Sequence, residues 1–262
     1  MTSQFTRRTW LKRTLLTGLT LSAPKALSRD RQPTIAAASS LRHVLPAIAK
    51  AFAATGQAKP RLTFGSSGNL YRQVVQGAPF GVFLSADTEL PAEIEKRDLT
   101  AEPVRDYALG RIALVTPRVK KALTSAEVWK DAVAANSFRR LAIANPKHAP
   151  YGKAAIQVLE SFGLKTDLKN GFIIGENASQ AAQFLLTGSV DGALLPLALA
   201  RSKQLANRTT HVVLEANAHE PIRHGMALIN HANPDERAFY RFMTSTTAQA
   251  LLNDAGFERP RP

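Results

Sequence analysis

From residue 33 onward, short apolar runs alternate with stretches in which apolar residues recur every three or four positions, a pattern that predicts repeated strand–helix units. Thr34-Ile35-Ala36-Ala37-Ala38 reads as a first strand, and the helix after it carries Leu41, Val44, Leu45, Ile48 and Phe52 on one face. Pro46 interrupts that face. It has no N–H for the helical ladder, so the helix either kinks there or starts late. Arg61-Leu62-Thr63-Phe64 is a second strand, followed by a helix from Asn69 to Gln76 that Gly77 closes, and Val82-Phe83-Leu84-Ser85 is a third strand. A second series opens at Arg111-Ile112-Ala113-Leu114-Val115-Thr116-Pro117. It continues with Leu141-Ala142-Ile143-Ala144, a helix over 152–162 ended by Gly163, another over 179–187 ended by Gly188, and Gly192-Ala193-Leu194-Leu195. Met226-Ala227-Leu228-Ile229 and a helix after Asn233-Pro234, with Phe239, Phe242 and Met243 on one side, finish the chain. No internal repeat or Gly/Ser linker divides the series, so the expected fold class is α/β, in two lobes without a disordered spacer.

The first 28 residues do not share this pattern. Thr6-Arg7-Arg8-Thr9-Trp10-Leu11-Lys12 precedes a weakly apolar run, Thr14 to Ala23, that is too short and too hydroxylated to span a bilayer. Ala26-Leu27-Ser28 then puts small residues at the −3 and −1 places of a cleavage site. The segment 1–28 resembles a twin-arginine signal peptide, in which low hydrophobicity accompanies the arginine pair. The mature protein is therefore expected outside the cytoplasm, in the periplasm. No other stretch approaches 18 apolar residues.

Charge and composition narrow the chemistry. The formal net charge is +14, which invites a nucleic-acid reading. The basic residues are scattered rather than striped, however, and five of them (Arg7, Arg8, Lys12, Arg13, Lys25) lie in the leading segment with no acid beside them. The expectation is no nucleic-acid partner, and a surface that raises the local concentration of small anions. The absence of cysteine excludes disulfides, thiolate metal sites and cysteine nucleophiles.

The informative positions are the junctions between strands and helices: Ala38-Ser39-Ser40-Leu41, Gly65-Ser66-Ser67-Gly68, Pro150-Tyr151-Gly152 and Asn177-Ala178-Ser179. Each puts small or hydroxyl residues where a helix begins, so that free N–H groups and the positive end of the helix dipole can meet an anion. Serine and asparagine are also the ordinary N-caps of any helix, so each junction alone reads first as a structural feature, and only the set of four shifts the balance. By chemistry alone the reading stops at an α/β binding protein for a small anion.

Read as strings, the same segments resemble the periplasmic molybdate/tungstate-binding family, the solute-binding proteins of ABC importers. The likeness runs from about Thr34 to Phe257. It rests on Ala36 to Leu41, Phe64-Gly65-Ser66-Ser67-Gly68-Asn69-Leu70-Tyr71-Arg72-Gln73, Gly77-Ala78-Pro79-Phe80, Phe83-Leu84-Ser85-Ala86-Asp87, Ala144 to Gly152, and Gly175-Glu176-Asn177-Ala178. The resemblance implies a two-lobed periplasmic binding protein fold of the class II type, with the ligand in the cleft between lobes. One lobe would hold 29–110 with 225–262 and the other 111–224, with crossovers within 107–117 and 222–231. It implies capture of molybdate or tungstate for a membrane permease by a monomer, with no cofactor, no catalytic residue and no metal cation. Matched residue by residue, the oxyanion ligands are Ser39, Ser40, Ser67, Tyr151 (through its hydroxyl or its amide) and Ala178. Two positions depart from the family: Pro196 stands where some members have a tyrosine, and Gly81 where an acid is usual.

Other chemistries fit less well. Gly65-Ser66-Ser67-Gly68 is neither a nucleophile elbow nor a nucleotide phosphate loop. The histidines (His43, His148, His211, His219, His224, His231) show no helical spacing with an acid that would suit a metal, and no evident pairing with a serine. His148 is expected at the surface or bracing its loop, and Arg72 in solvent or bracing the lobe, rather than binding ligand. The alternatives that remain are a binding protein for sulfate or another tetrahedral oxyanion, and a periplasmic enzyme or interaction module on the same scaffold.

Overall fold

The structure, a computed structural model, describes residues 32–118, 125–134, 138, 140–164 and 172–260. The signal peptide expected over 1–28, with its Arg7-Arg8 pair, lies outside the described residues. The chain begins with β1 (Thr34–Ala38), a single 3-10 turn at Ser39–Leu41, and α1 (Leu45–Ala53). Next come β2 (Arg61–Gly65), α2 (Ser67–Val75), β3 (Val82–Leu84), α3 (Glu89–Glu95) and β4 (Arg105–Gly110). With only Arg111 between, β5 (Ile112–Pro117) opens a second unit containing α4 (Ala126–Ala134), β6 (Leu141–Ala144), α5 (Pro150–Ser161), β7 (Phe172–Gly175) and α6 (Ala178–Leu186). That unit ends with β8 (Gly192–Pro196), α7 (Leu197–Ala200), α8 (Lys203–Ala206) and β9 (Thr209–Val213). Then β10 (Ile222–Leu228), α9 (Pro234–Phe242) and α10 (Thr246–Ala255) complete the chain.

Two five-stranded sheets organise two lobes, in the orders β2-β1-β3-β10-β4 and β7-β6-β8-β5-β9. Within each, β1 pairs in parallel with β2 and β3, and β6 pairs in parallel with β7 and β8, as strand–helix units require. The strands that carry the chain between lobes break that rule. β5 runs antiparallel to β8 and β9, and β10 runs antiparallel to β3 and β4. The alternating pattern of strands and helices does not reveal this, because β5 follows β4 without a helix. β10 joins the first sheet from Ile222, opposite Gly110, three residues ahead of the expected 225, and its register slips between His224 and Gly225.

Local rules explain most element boundaries. Pro46 does not kink α1; it sits in the first turn, where no ladder bond is owed, so the helix starts late at Leu45. Asn233 and Glu236 form a capping box around α9, with Pro234 in its first turn. Gly163 and Gly188 end α5 and α6 in left-handed conformations with φ +72 each, a geometry glycine adopts without a Cβ clash. Each lobe has its own core. Ile35, Leu45, Ile48, Phe52, Phe239 and Leu252 pack between the first sheet and α1, α9 and α10, and Phe52 meets Phe239 edge-on at 5.2 Å. In the second lobe α6 covers Ala113, Val115 and Leu195, while α5 covers Leu114, Ile143 and Leu194 from the other side.

The glycine at 81 has a tertiary cause. A Cβ there would lie 2.0 Å from Cδ of Glu236, whose buried carboxylate accepts hydrogen bonds from the Thr34 and Asn233 N–H groups. A carboxylate therefore occupies the space beside Gly81, supplied from α9.

Candidate functional site

All four junctions face one small cleft between the lobes. Its lining is Ala38, Ser39, Ser40, Gly65, Ser66, Ser67, Ala86, Ala149, Pro150, Tyr151 and Ala178, around about 200 Å³ of empty space. So small a space suits a small ion rather than a drug-sized ligand. Every residue singled out from sequence (Ser39, Ser40, Ser67, Tyr151, Ala178) lines it, and no charged side chain does.

The capping explanation of the junction residues is testable here, and it holds at only one of them. The Asn177 side chain accepts from the Gln180 N–H and so caps α6. Neither Ala38 nor Ser66 nor Ala149, the residues before the other three helical segments, makes a side-chain cap bond. The serine hydroxyls are therefore free of that duty. The Ser67 hydroxyl accepts from the buried N–H of Ala86 at 3.0 Å, which leaves its own proton to donate elsewhere. The Ser40 hydroxyl is 2% exposed and has no partner among the described residues. A buried polar group without a partner is costly, and an acceptor arriving in the cleft relieves it.

Backbone donors converge on the same space. Ser67 and Ala178 are the first residues of α2 and α6, and their N–H groups precede any intrahelical acceptor. Pro150 opens α5 without an N–H, so Tyr151 presents the first amide of that helix. Positive helix ends thus point at one spot from both lobes, a fixed arrangement of dipoles that favours negative charge. The Tyr151 hydroxyl goes elsewhere: it stands 3.2 Å from Nε2 of His224, on the hinge side of the cleft. Pro196, at the end of β8, has no hydroxyl to offer.

The lobes touch around the cleft. The Gly68 N–H donates to the carbonyl of His148 at 2.9 Å, and Nδ1 of His148 is 3.0 Å from the Ser66 hydroxyl. The Asn69 amide donates to the Glu176 carboxylate, which lies 3.5 Å from Nε2 of His148. On the other side the Ser179 hydroxyl donates to the Ser39 carbonyl at 3.1 Å and accepts from Arg42 at 3.0 Å. His148 therefore braces two loops, and Arg72 donates to the Asn69 side chain. Ala86, Tyr107 and His224 were not recognisable as site residues from sequence. Ala86 acts through its backbone, and the other two belong to a network that only the packing assembles. Among the described residues, no group of three or more His, Asp or Glu side chains could hold a metal ion, and no helix is long and apolar enough to cross a membrane.

Comparisons with known proteins place the chain among extracellular solute-binding proteins. A sequence model of the bacterial extracellular solute-binding proteins matches residues 33–258. The molybdate-binding protein ModA of Azotobacter vinelandii is 30% identical over 226 residues, covering 85% of this chain and 88% of that protein. The ModA of Rhodobacter capsulatus is 30% identical over 200 residues, 74% of this chain and 75% of that one. The solved structure of the Azotobacter vinelandii periplasmic molybdate-binding protein superposes with a TM-score of 0.78 at 28% identity, covering 88% of this chain and 100% of that one. These relatives are named as binding proteins.

Proposed function

The chain belongs to the bacterial extracellular solute-binding protein family, and from that premise we propose that it captures molybdate or tungstate and delivers it to an ABC-type permease. The observation that carries the reading is the small cleft lined by neutral donors from both lobes, with the Ser40 hydroxyl buried and unpaired inside it. The ligands we assign are Ser39, Ser40 and Ser67, the amide of Ala178, and the amide rather than the hydroxyl of Tyr151.

Chemistry supports a tetrahedral, fully deprotonated oxyanion. Neutral donors fixed by helix ends hold a dianion without a counter-charge and need no reorganisation when it arrives. No side-chain carboxylate or imidazole lines the cleft to accept a proton, so hydrogen phosphate would set its own O–H against donors. Sulfate meets that test as well, and is the second reading. Relatives named as molybdate-binding proteins favour the larger anions.

We further propose that residues 1–28 direct export through the twin-arginine route to the periplasm, and that the protein acts there as a monomer without cofactor or nucleic-acid partner. We place one lobe at 29–110 with 225–262 and the other at 111–224, with residues 222–224 of β10, already paired to β4, as the returning crossover; the sheet change at Arg111 and the register slip at His224/Gly225 support this division. Thermal-shift measurements with molybdate, tungstate, sulfate and phosphate test the function directly. Stabilisation by molybdate and tungstate well above that by sulfate is expected. Stabilisation by sulfate alone selects the second reading, and no response to any oxyanion ends both.

A further inference from the structure

One buried hydrogen-bond chain links the two walls of the cleft through the hinge. Tyr107, on β4, donates its hydroxyl proton to the Ser85 carbonyl at 3.0 Å, because a carbonyl can only accept. The Tyr107 oxygen lies 3.1 Å from Nδ1 of His224, on β10, and so accepts the imidazole N–H. Nε2 is then the bare nitrogen, and it accepts from the Tyr151 hydroxyl at 3.2 Å. The direction of every bond follows from that one carbonyl. All three rings are buried, and burial holds the imidazole neutral, with its pKa lowered to about 3.

The two ends of the chain lie at the proposed anion loops. Ser85 precedes Ala86, whose N–H donates to the Ser67 hydroxyl, and Tyr151 presents the first amide of α5. Gly110, where the chain leaves the first sheet, makes room: a Cβ there would lie 2.1 Å from the Tyr151 hydroxyl and 2.9 Å from Nε2 of His224. A hydroxyl from the second lobe is thus seated against both crossover strands. The contact joins the second lobe to both crossover strands, so it is placed to respond to rotation of the lobes about them.

We propose that the Tyr151 hydroxyl and the His224 imidazole, oriented by Tyr107, form a hinge tether that holds the α5 anion loop in its closed position and sets oxyanion affinity without itself touching the anion. The proposal rests on the oxyanion-binding reading and assigns Tyr151 two separate jobs, its amide for the ligand and its hydroxyl for closure.

The test titrates wild type, Tyr151→Phe, His224→Phe and the double variant with molybdate and with sulfate by calorimetry. Long-range nitrogen–proton spectra of the ligand-free wild type report the His224 tautomer. Tyr151→Phe should weaken both anions by roughly tenfold, leaving their affinity ratio unchanged, because one hydrogen bond peculiar to the closed form is lost. The double variant should bind no worse than the weaker single variant, since both delete the same bond. His224 should be a neutral Nδ1–H imidazole from pH 5 to 8. Wild-type affinity in Tyr151→Phe, or an Nε2–H tautomer in wild type, overturns the tether. A changed molybdate-to-sulfate ratio overturns it too, by making the hydroxyl a ligand. Should His224→Phe fail to fold, Tyr151→Phe and the tautomer decide alone. If wild type binds no oxyanion, the transport reading fails, and the tautomer spectrum still decides the tether's geometry.

Discussion

Replacing Ser40 with alanine separates a residue that serves a ligand from one that serves the fold. The Ser40 hydroxyl is buried at 2% exposure and unpartnered, so removing it breaks no bond in the ligand-free protein. An unpaired buried hydroxyl costs about 1–3 kcal/mol when dry, and less when an open cleft lets water reach it. Ligand-free stability should therefore stay within about 0.5 kcal/mol of wild type or rise by up to about 1 kcal/mol. With an anion bound, the same hydroxyl makes a charge-assisted hydrogen bond contributing about 1.5–3 kcal/mol, so the molybdate Kd should rise roughly tenfold to a hundredfold. Ser67→Ala is the contrast. Its hydroxyl accepts from the Ala86 N–H, so deleting it removes an anion donor and also leaves a buried N–H unpaired. Both affinity and stability should fall there, the latter by about 1–3 kcal/mol. Calorimetric titration with molybdate, paired with urea unfolding of the ligand-free proteins, reads both quantities. Wild-type affinity in Ser40→Ala with a stability loss above about 1 kcal/mol would refute the reasoning.

Four further expectations follow from the same structure. Gly68→Ala puts a Cβ 2.8 Å from Cβ of His148 across the cleft, so the closed form alone should be strained and anion affinity should drop about tenfold or more, while ligand-free stability holds; unchanged calorimetric affinity would contradict this. Gly81→Ala drives a methyl into the Glu236 carboxylate and should cost about 1–3 kcal/mol or prevent folding, read by urea unfolding; a wild-type midpoint would contradict it. His224 keeps its proton off when folded, with a pKa near 3, but takes one up when unfolded at its ordinary 6.5. Stability should therefore be full above about pH 6.5 and fall as pH drops toward 3, by about 2 kcal/mol at pH 5 from this group, and His224→Gln should flatten that slope. Replacing Arg7 and Arg8 with lysine should leave unprocessed protein in the cytoplasm on cell fractionation, because the twin-arginine route reads the arginine pair; normal processing would remove that assignment.

The cleft lining was legible in sequence because it is made of backbone groups and small hydroxyl residues at helix starts, and helix starts have local signals. Pro46, Pro150 and Asn233-Pro234 mark first turns, and Gly163 and Gly188 mark ends, within a residue or two of where the helices begin and stop. Ser40, Ser67, Tyr151 and Ala178 lie at such starts, so naming the junctions named the lining. β4, β7, β9, α3, α4, α7, α8 and α10 were not identified. They are short or mixed in polarity, and pairing or packing partners make up for their weak periodicity.

Sequence alone determined which helices begin with bare amides and small hydroxyl residues, since capping and periodicity are settled within a few residues of chain. Tertiary structure decided what each side chain then does. It turned β5 and β10 antiparallel, so that the chain crosses twice between lobes beside Gly110 and His224. It placed the Glu236 carboxylate in the space beside Gly81, 155 positions away along the sequence. It gave the Ser67 hydroxyl an N–H from Ala86 and sent the Tyr151 hydroxyl to a histidine 73 residues away. The physical reason is range. A hydrogen bond between buried groups so far apart depends on strand register and on how two cores meet. No local pattern of residues encodes either, because the competing partners are excluded only by packing that forms when the whole chain has folded.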